Sequence, residues 1–340
     1  MNMRVLFALL VVGFLGSAHA VTYSWPDDPS DNVVTEHADG FPFTRANQDE
    51  TLLDIARRFS LGQVEIVRLN QDVDRWSVKQ DEVVRLPNRR VLPDTPHEGI
   101  VLNIAEYRMY YYPPAQAGMP RTVMSFAHGV GRQDWQTPLG LTKVVKKVKD
   151  PSWYPPESIR REHAAMGDPL PTVVPPGPHN PLGAYALHLA LKGEYRIHGT
   201  DIDKIYGIGM QITHGCVRMY PEDIEQLYHS VSVGTPVRIV QQQIKTGWLD
   251  NQLYIEAHPD LEGIDTTFEQ RLDTAMQLIA KANNGVIPEL NEVVLKKALT
   301  VLDGDPVPIF ERLPDMPDFE EEIGLREAAV ESTYQVTTRP

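Results

Sequence analysis

Cys216 is the only cysteine among 340 residues, so no intramolecular disulfide can form and any thiol chemistry must be its own. It stands in the run Ile212-Thr213-His214-Gly215-Cys216-Val217-Arg218-Met219, downstream of Tyr195-Arg196-Ile197-His198-Gly199-Thr200. A free thiol ionises with a pKa of ~8.5, and little thiolate exists near neutrality. An imidazole within hydrogen-bond reach changes this. Lowering the thiol pKa by two units takes about 2.7 kcal/mol of differential stabilisation, which a thiolate–imidazolium pair or aimed backbone dipoles can supply. The expected chemistry is nucleophilic attack by sulfur, with a histidine moving the proton.

Two histidines compete for that role. His214 is two residues from the thiol, where an extended backbone turns both side chains to one side. His198 ends a strand expected at 195–197 and faces the thiol if the loop 201–211, with Gly207 and Gly209, returns the chain alongside. Gly215 removes the side chain just before the sulfur and lets a backbone N–H approach a developing oxyanion. The plainer alternative is a core cysteine acting as a small hydrophobe. A zinc hydrolase could use His198, His214 and Cys216 as ligands with an open fourth position, yet no His-Glu-x-x-His pattern accompanies them. A papain-type protease places its nucleophile ahead of its histidine, and here the histidine comes first. The expectation is therefore no metal and no cofactor.

The positioning elements follow from periodicity. Residues 99–241 are β-rich, with strands expected at 100–104, 108–112, 122–127, 141–148, 185–191, 195–197 and 236–240. The stretch 150–183 holds nine prolines, too many for a sheet interior, and is expected to be a lid or rim. One helix follows the cysteine segment, with Pro221 in its first turn and Ile224, Leu227, Tyr228 and Val231 on one face. Upstream, Thr51 and Asp54 form a capping pair ahead of Leu52, Ile55, Ala56 and Phe59 at helical spacing. Residues 250–302 are expected to be a helical region, 303–340 an acidic, flexible tail, and 21–40 a linker.

The segment His198-Gly199-Thr200 with Thr213-His214-Gly215-Cys216-Val217-Arg218 resembles the signature of the L,D-transpeptidase catalytic family: His-Gly, a loop, then Ser/Thr-His/Ser-Gly-Cys-hydrophobic-Arg/Asn. Gly129-Val130-Gly131, Thr137-Pro138-Leu139-Gly140, Pro151-Ser152-Trp153-Tyr154-Pro155-Pro156 and Asn180-Pro181-Leu182-Gly183 resemble further landmarks of it. The resemblance implies that Cys216 is the nucleophile and His198 the proton donor and acceptor. The Gly199 carbonyl would orient His198, and His214 and Gly215 would position the thiol or line the oxyanion site. Arg218 is expected to bind a substrate carboxylate or to form a structural ion pair; Thr213, Trp153 and Tyr206 are further substrate-binding candidates, with Tyr154 and Trp135 beside them. The implied partners are peptidoglycan stem peptides and glycan, and the outer-membrane murein lipoprotein as one acceptor.

A second resemblance lies at 36–92. Asp49-Glu50-Thr51-Leu52, Ile55-Ala56-Arg57-Arg58-Phe59, Leu69-Asn70 and Val84-Arg85-Leu86-Pro87 resemble the lysin-motif (LysM) module, which binds N-acetylglucosamine-containing glycan. The expected fold is thus a mainly β, sandwich-like catalytic domain of mixed sheets with one short helix after the cysteine, a small α/β LysM-like module before it, and a helical, acidic C-terminal extension. A noncatalytic wall-binding scaffold is the reading from another class.

Residues 1–20 resemble a secretory signal: Arg4, an apolar run at 5–15, then Ala18-His19-Ala20, with cleavage expected near Ala20, and the family resemblance implies a periplasmic destination. That run falls short of the ~20 residues a membrane span needs. The net charge of −14, with ten acidic and three basic side chains in 303–340, argues against nucleic acid or an anionic membrane surface as partner.

Overall fold

The computed structural model describes residues 21–26, 28, 30–35 and 42–312. The expected signal at 1–20 and the tail beyond 312 lie outside the described residues.

The backbone of the molecule is a nine-stranded mixed sheet. Its order is Val21–Ser24, Thr122–Ala127, Arg108–Tyr112, Gly99–Asn103, Pro236–Val240, Gly140–Lys149, Tyr185–Leu189, Arg196–His198 and Val217–Arg218. The mainly β expectation holds, but the strands run in one nine-stranded order, with a register shift between Val144 and Lys146, rather than as two separate sheets. Gly99–Asn103 and Arg108–Tyr112 form a hairpin, the chain reversing through Tyr107 at φ 56. Strand pairing across the sheet is antiparallel except for Pro236–Val240 on Gly99–Asn103 and Arg196–His198 against Val217–Arg218. Ile100, Leu102, Met109, Phe126, Val144, Leu187, Ile197 and Val217 feed one apolar core, closed by Met219, Ile224 and Leu227 at and after the cysteine segment. The helix Pro221–Ser230 supplies the last two.

Residues 21–40 are not simply a linker. Val21–Ser24 pairs with Thr122–Ala127, and Val33–Thr35 with Arg89–Val91. Tyr23, Val33 and Val34 are buried. Strands this short show little alternation, and their partners lie far off in sequence, so periodicity does not reveal them.

Next comes a compact unit with strands Phe43–Arg45 and Val83–Arg85 and helices Leu52–Arg58 and Gln63–Leu69. Thr51 and Asp54 form a reciprocal capping box: the Asp54 N–H donates to Thr51 Oγ1 at 3.2 Å and the Thr51 N–H to Asp54 Oδ2 at 2.9 Å. This unit docks on the start of the helix Pro221–Ser230. Arg57 grips Glu222 through two hydrogen bonds of 2.9 and 3.1 Å, Ser60 Oγ donates to Asp223 Oδ2 at 2.6 Å, and Tyr220 OH donates to the Leu61 carbonyl at 3.0 Å. A Cβ on Gly62 would sit 2.8 Å from Gly209 Cα, so the two backbones touch where glycine alone permits it.

The C-terminal part is α/β rather than helical. Ile244–Leu249, Gln252–Ala257 and Val307–Glu311 make an antiparallel sheet covered by helices Phe268–Ala282 and Glu292–Val301. The start of the expected flexible tail is therefore a strand, its Ile309 fully buried. A buried ammonium joins the regions: Lys245 Nζ lies 2.7 Å from Glu106 Oε2, 2.8 Å from Glu256 Oε1 and 2.7 Å from the Val91 carbonyl. Such a cluster is satisfied as a whole, and removing one partner strands the others without solvent.

Candidate active site

Ile197 pairs with Val217 and His198 with Arg218 in a parallel ladder, and the Met219 N–H donates to the His198 carbonyl at 2.9 Å. Cys216 immediately precedes that ladder. Continuing the strand alternation puts it on the same face as Arg218 and His198. The guanidinium groups of Arg196 and Arg218 act electrostatically on both the His198 ring and the Cys216 thiol.

His198 is 4 % exposed, and its Nδ1 lies 2.7 Å from the Gly199 carbonyl oxygen. A carbonyl can only accept. Nδ1 therefore carries the ring proton, and Nε2 is left with the lone pair. Burial, aided by Arg218, pushes the imidazolium pKa down to about 3, so the ring is neutral at physiological pH.

Cys216 is half-buried, its sulfur 3.9 Å from the Glu194 carbonyl. Glu194 has φ 62, following Gly193 at φ 113, a tight turn that aims that carbonyl inward. Burial pushes the thiol pKa up, against the opposing pull of the Arg196 backbone and the Arg196 and Arg218 charges. Where the sequence leads to an expectation of a lowered thiol pKa, desolvation here outweighs the nearby cations and raises it.

The backbone around the sulfur is fixed from three sides. Thr213 Oγ1, itself buried, donates to the Cys216 carbonyl at 2.6 Å. Thr137 Oγ1 donates to the Gly215 carbonyl at 3.0 Å and accepts from the Gly131 N–H at 3.1 Å. Gly129 and Arg218 exchange backbone hydrogen bonds of 2.8 and 3.2 Å. Gly215 has φ 94, and a Cβ there would stand 2.8 Å from the Tyr195 ring, so any other residue would be both strained and crowded.

His214 turns to another partner. Its Nε2 lies 3.0 Å from Glu162 Oε2, while Arg132 donates to Glu162 Oε1 at 2.6 Å and the Trp135 ring stands edge-on to the imidazole at 5.4 Å. Glu162 belongs to the helix Glu157–Ala165, formed inside the proline-rich stretch. Sequence reasoning did not single it out; the only signal was the irregular length of that stretch. The Arg218 guanidinium is largely buried, and its Nε has no hydrogen-bond partner among the described residues. Trp153 pairs through its backbone with Val174, and Tyr206 is 52 % exposed beside Arg57; neither hydrogen-bonds to Cys216, His198 or Arg218 among the described residues. Among these residues one group of donors, Glu106, Glu256 and His258, has metal-ligand spacing, and Lys245 already fills it.

Residues 97–239 match the YkuD family, described as the L,D-transpeptidase catalytic domain. The chain is 37% identical over 312 residues to "Probable L,D-transpeptidase YbiS" of Escherichia coli K12, covering 90% of this chain and 98% of that one. It is 36% identical over 262 residues to "Probable L,D-transpeptidase ErfK/SrfK" of the same strain, covering 76% and 80%. L,D-transpeptidase 3 from Mycobacterium tuberculosis, a solved structure, is more distant, with 18% identity, 48% of this chain and 77% of that chain covered, and a TM-score of 0.31. A match to the YkuD domain, joined to identity running nearly the full length of a named relative, makes this chain a member of the cysteine-dependent L,D-transpeptidase family.

Proposed function

We propose that Cys216 is the nucleophile and His198 the general base of a transfer reaction on peptidoglycan stem peptides. The observation that carries this reading is the hydrogen bond from His198 Nδ1 to the Gly199 carbonyl, which leaves Nε2 as the basic nitrogen on the face that continues to Cys216. As the sulfur attacks the carbonyl of meso-diaminopimelate in a tetrapeptide stem, the thiol proton passes to His198 Nε2. That proton then goes to the departing amine of D-alanine, and a thioester on Cys216 remains. An acceptor amine attacks the thioester, giving its own proton to His198, and the thiol is restored.

A neutral resting pair suits this cycle, because no charge has to be buried until the attack begins. Gly215, without a side chain, leaves room for backbone N–H groups to meet the oxyanion. Arg218, with an unpartnered Nε, is suited to a carboxylate of the donor stem. The acceptor is a second stem diaminopimelate or a lysine of the murein lipoprotein.

The unit spanning Phe43–Arg45 to Val83–Arg85 is read as a lysin-motif module that holds glycan near the site. Supporting this, Trp76 is 59 % exposed and lines a groove of about 340 Å³ with Gln48, Asp49, Glu50, Ser77 and Gln80; an exposed indole beside amides and carboxylates suits a sugar ring. A periplasmic location, with residues 1–20 as the export signal, completes the proposal. Among the described residues no helix is long and apolar enough to cross a membrane.

The test is incubation with a tetrapeptide muropeptide, with and without a lysine-bearing lipoprotein peptide. Release of D-alanine with transfer to lysine identifies an anchoring enzyme, and a dimeric stem identifies a cross-linker. Retention on isolated wall material without either product leaves only the scaffold reading.

A further inference from the structure

The helix Glu157–Ala165 is tied to the catalytic segment largely through one carboxylate. Glu162 accepts from His214, two residues before the nucleophile, and from Arg132. Arg132 also gives its backbone N–H to the Thr213 carbonyl at 2.9 Å, so a single side chain joins the helix, the 129–132 turn and the cysteine segment. Arg132 first, then His214, holds the Glu162 carboxyl below the usual carboxylate range. Both ends remain reachable by water, with Arg132 and Glu162 side chains 35% and 28% exposed, so the clamp is one that can open and reclose.

What the clamp holds in place matters for the second half of the reaction. His198 is buried, and Cys216 is half-buried, with the Glu194 carbonyl as the polar neighbour of its sulfur. A thioester formed there faces two nucleophiles, an acceptor amine and water, and the fraction lost to water depends on how well the site is closed.

We propose that Glu162 is a specificity-determining positioning residue: through His214 and Arg132 it holds the helix Glu157–Ala165 against the cysteine segment and so directs the acyl-enzyme to an amine rather than to water. Because a carboxylate only accepts, Glu162 also fixes the proton of His214 on Nε2 and leaves Nδ1 as an acceptor. The proposal rests on the thioester reading given above. In hydrolysis, water would lose a proton to His198 and its oxygen would join the diaminopimelate carbonyl, releasing the tripeptide stem and the free thiol.

The experiment uses the full chain with a tetrapeptide muropeptide and an amine acceptor, counting tripeptide and transfer product by mass spectrometry per acyl-enzyme formed on Cys216. For Glu162→Ala the tripeptide-to-transfer ratio is expected to rise about tenfold. Glu162→Gln, whose amide oxygen still accepts from His214 but carries no charge for Arg132, should fall between. Arg132→Gln removes the same clamp from its other side and serves if Glu162→Ala does not fold. A ratio unchanged within about twofold in every folded variant would overturn the proposal and leave Glu162 a structural tether. Absence of any Cys216 adduct in the unmodified protein would instead remove the thioester reading itself, and the proposal with it.

Discussion

His198 Nδ1 lies 2.7 Å from the carbonyl oxygen of the very next residue, Gly199. This contact spans one peptide unit and needs no distant partner, so the tautomer of His198 is set by the local turn. The ring neighbours Arg218 across the parallel ladder, and Arg218 helps burial to keep it unprotonated. A triad that used a buried carboxylate would raise the affinity of the ring for a proton; a carbonyl orients it with no added charge.

A neutral pair makes a kinetic prediction. With the thiol pKa raised and that of His198 lowered to about 3, the iodoacetamide rate at Cys216 should climb about tenfold per pH unit from about pH 5 to 8, without a plateau. A pH-independent rate across that window would mean a thiolate–imidazolium pair.

Gly215→Ala should fold yet lose activity. The added Cβ needs φ 94 and meets the Tyr195 ring, so the cysteine segment must shift. A loss of about 10²-fold in kcat/KM is expected, with far-UV circular dichroism unchanged.

Asp223 links stability to pH at the junction between the N-terminal unit and the catalytic helix. It is fully buried, bonded to Ser60, and burial raises its pKa to about 7. Since the folded form holds its proton longer than the unfolded chain, this stability is complete below about pH 4 and is lost as pH rises through about 7. Asp223→Asn should flatten that limb and be more stable by about 4 kcal/mol at about pH 8 in urea unfolding.

The candidate site is legible in the sequence where it is contiguous. His198-Gly199 and Thr213 to Arg218 carry their spacing with them, and the ladder that joins them is made of the same residues. Glu162 was not legible, because it reaches His214 across 52 residues from a helix only nine residues long within proline-rich chain. The sign of the thiol shift was hidden for a related reason: cations near Cys216 are visible in Arg196 and Arg218, whereas the desolvation that outweighs them exists only in the fold. Most strands of the sheet were legible from alternation. Val21–Ser24 and Val307–Glu311 were not, since a four-residue strand has too few positions and the other alternates around Pro308 in an acidic context.

The central claim is a covalent bond to one sulfur, made with the help of one ring. Intact-protein mass spectrometry of the full chain, mixed with a tetrapeptide muropeptide without acceptor, tests it most directly. The account predicts an adduct of the donor less D-alanine on Cys216, absent in Cys216→Ala and formed about 10²- to 10⁴-fold more slowly in His198→Ala. Release of D-alanine by Cys216→Ala at the unmodified rate, or an adduct forming equally fast without His198, would contradict it.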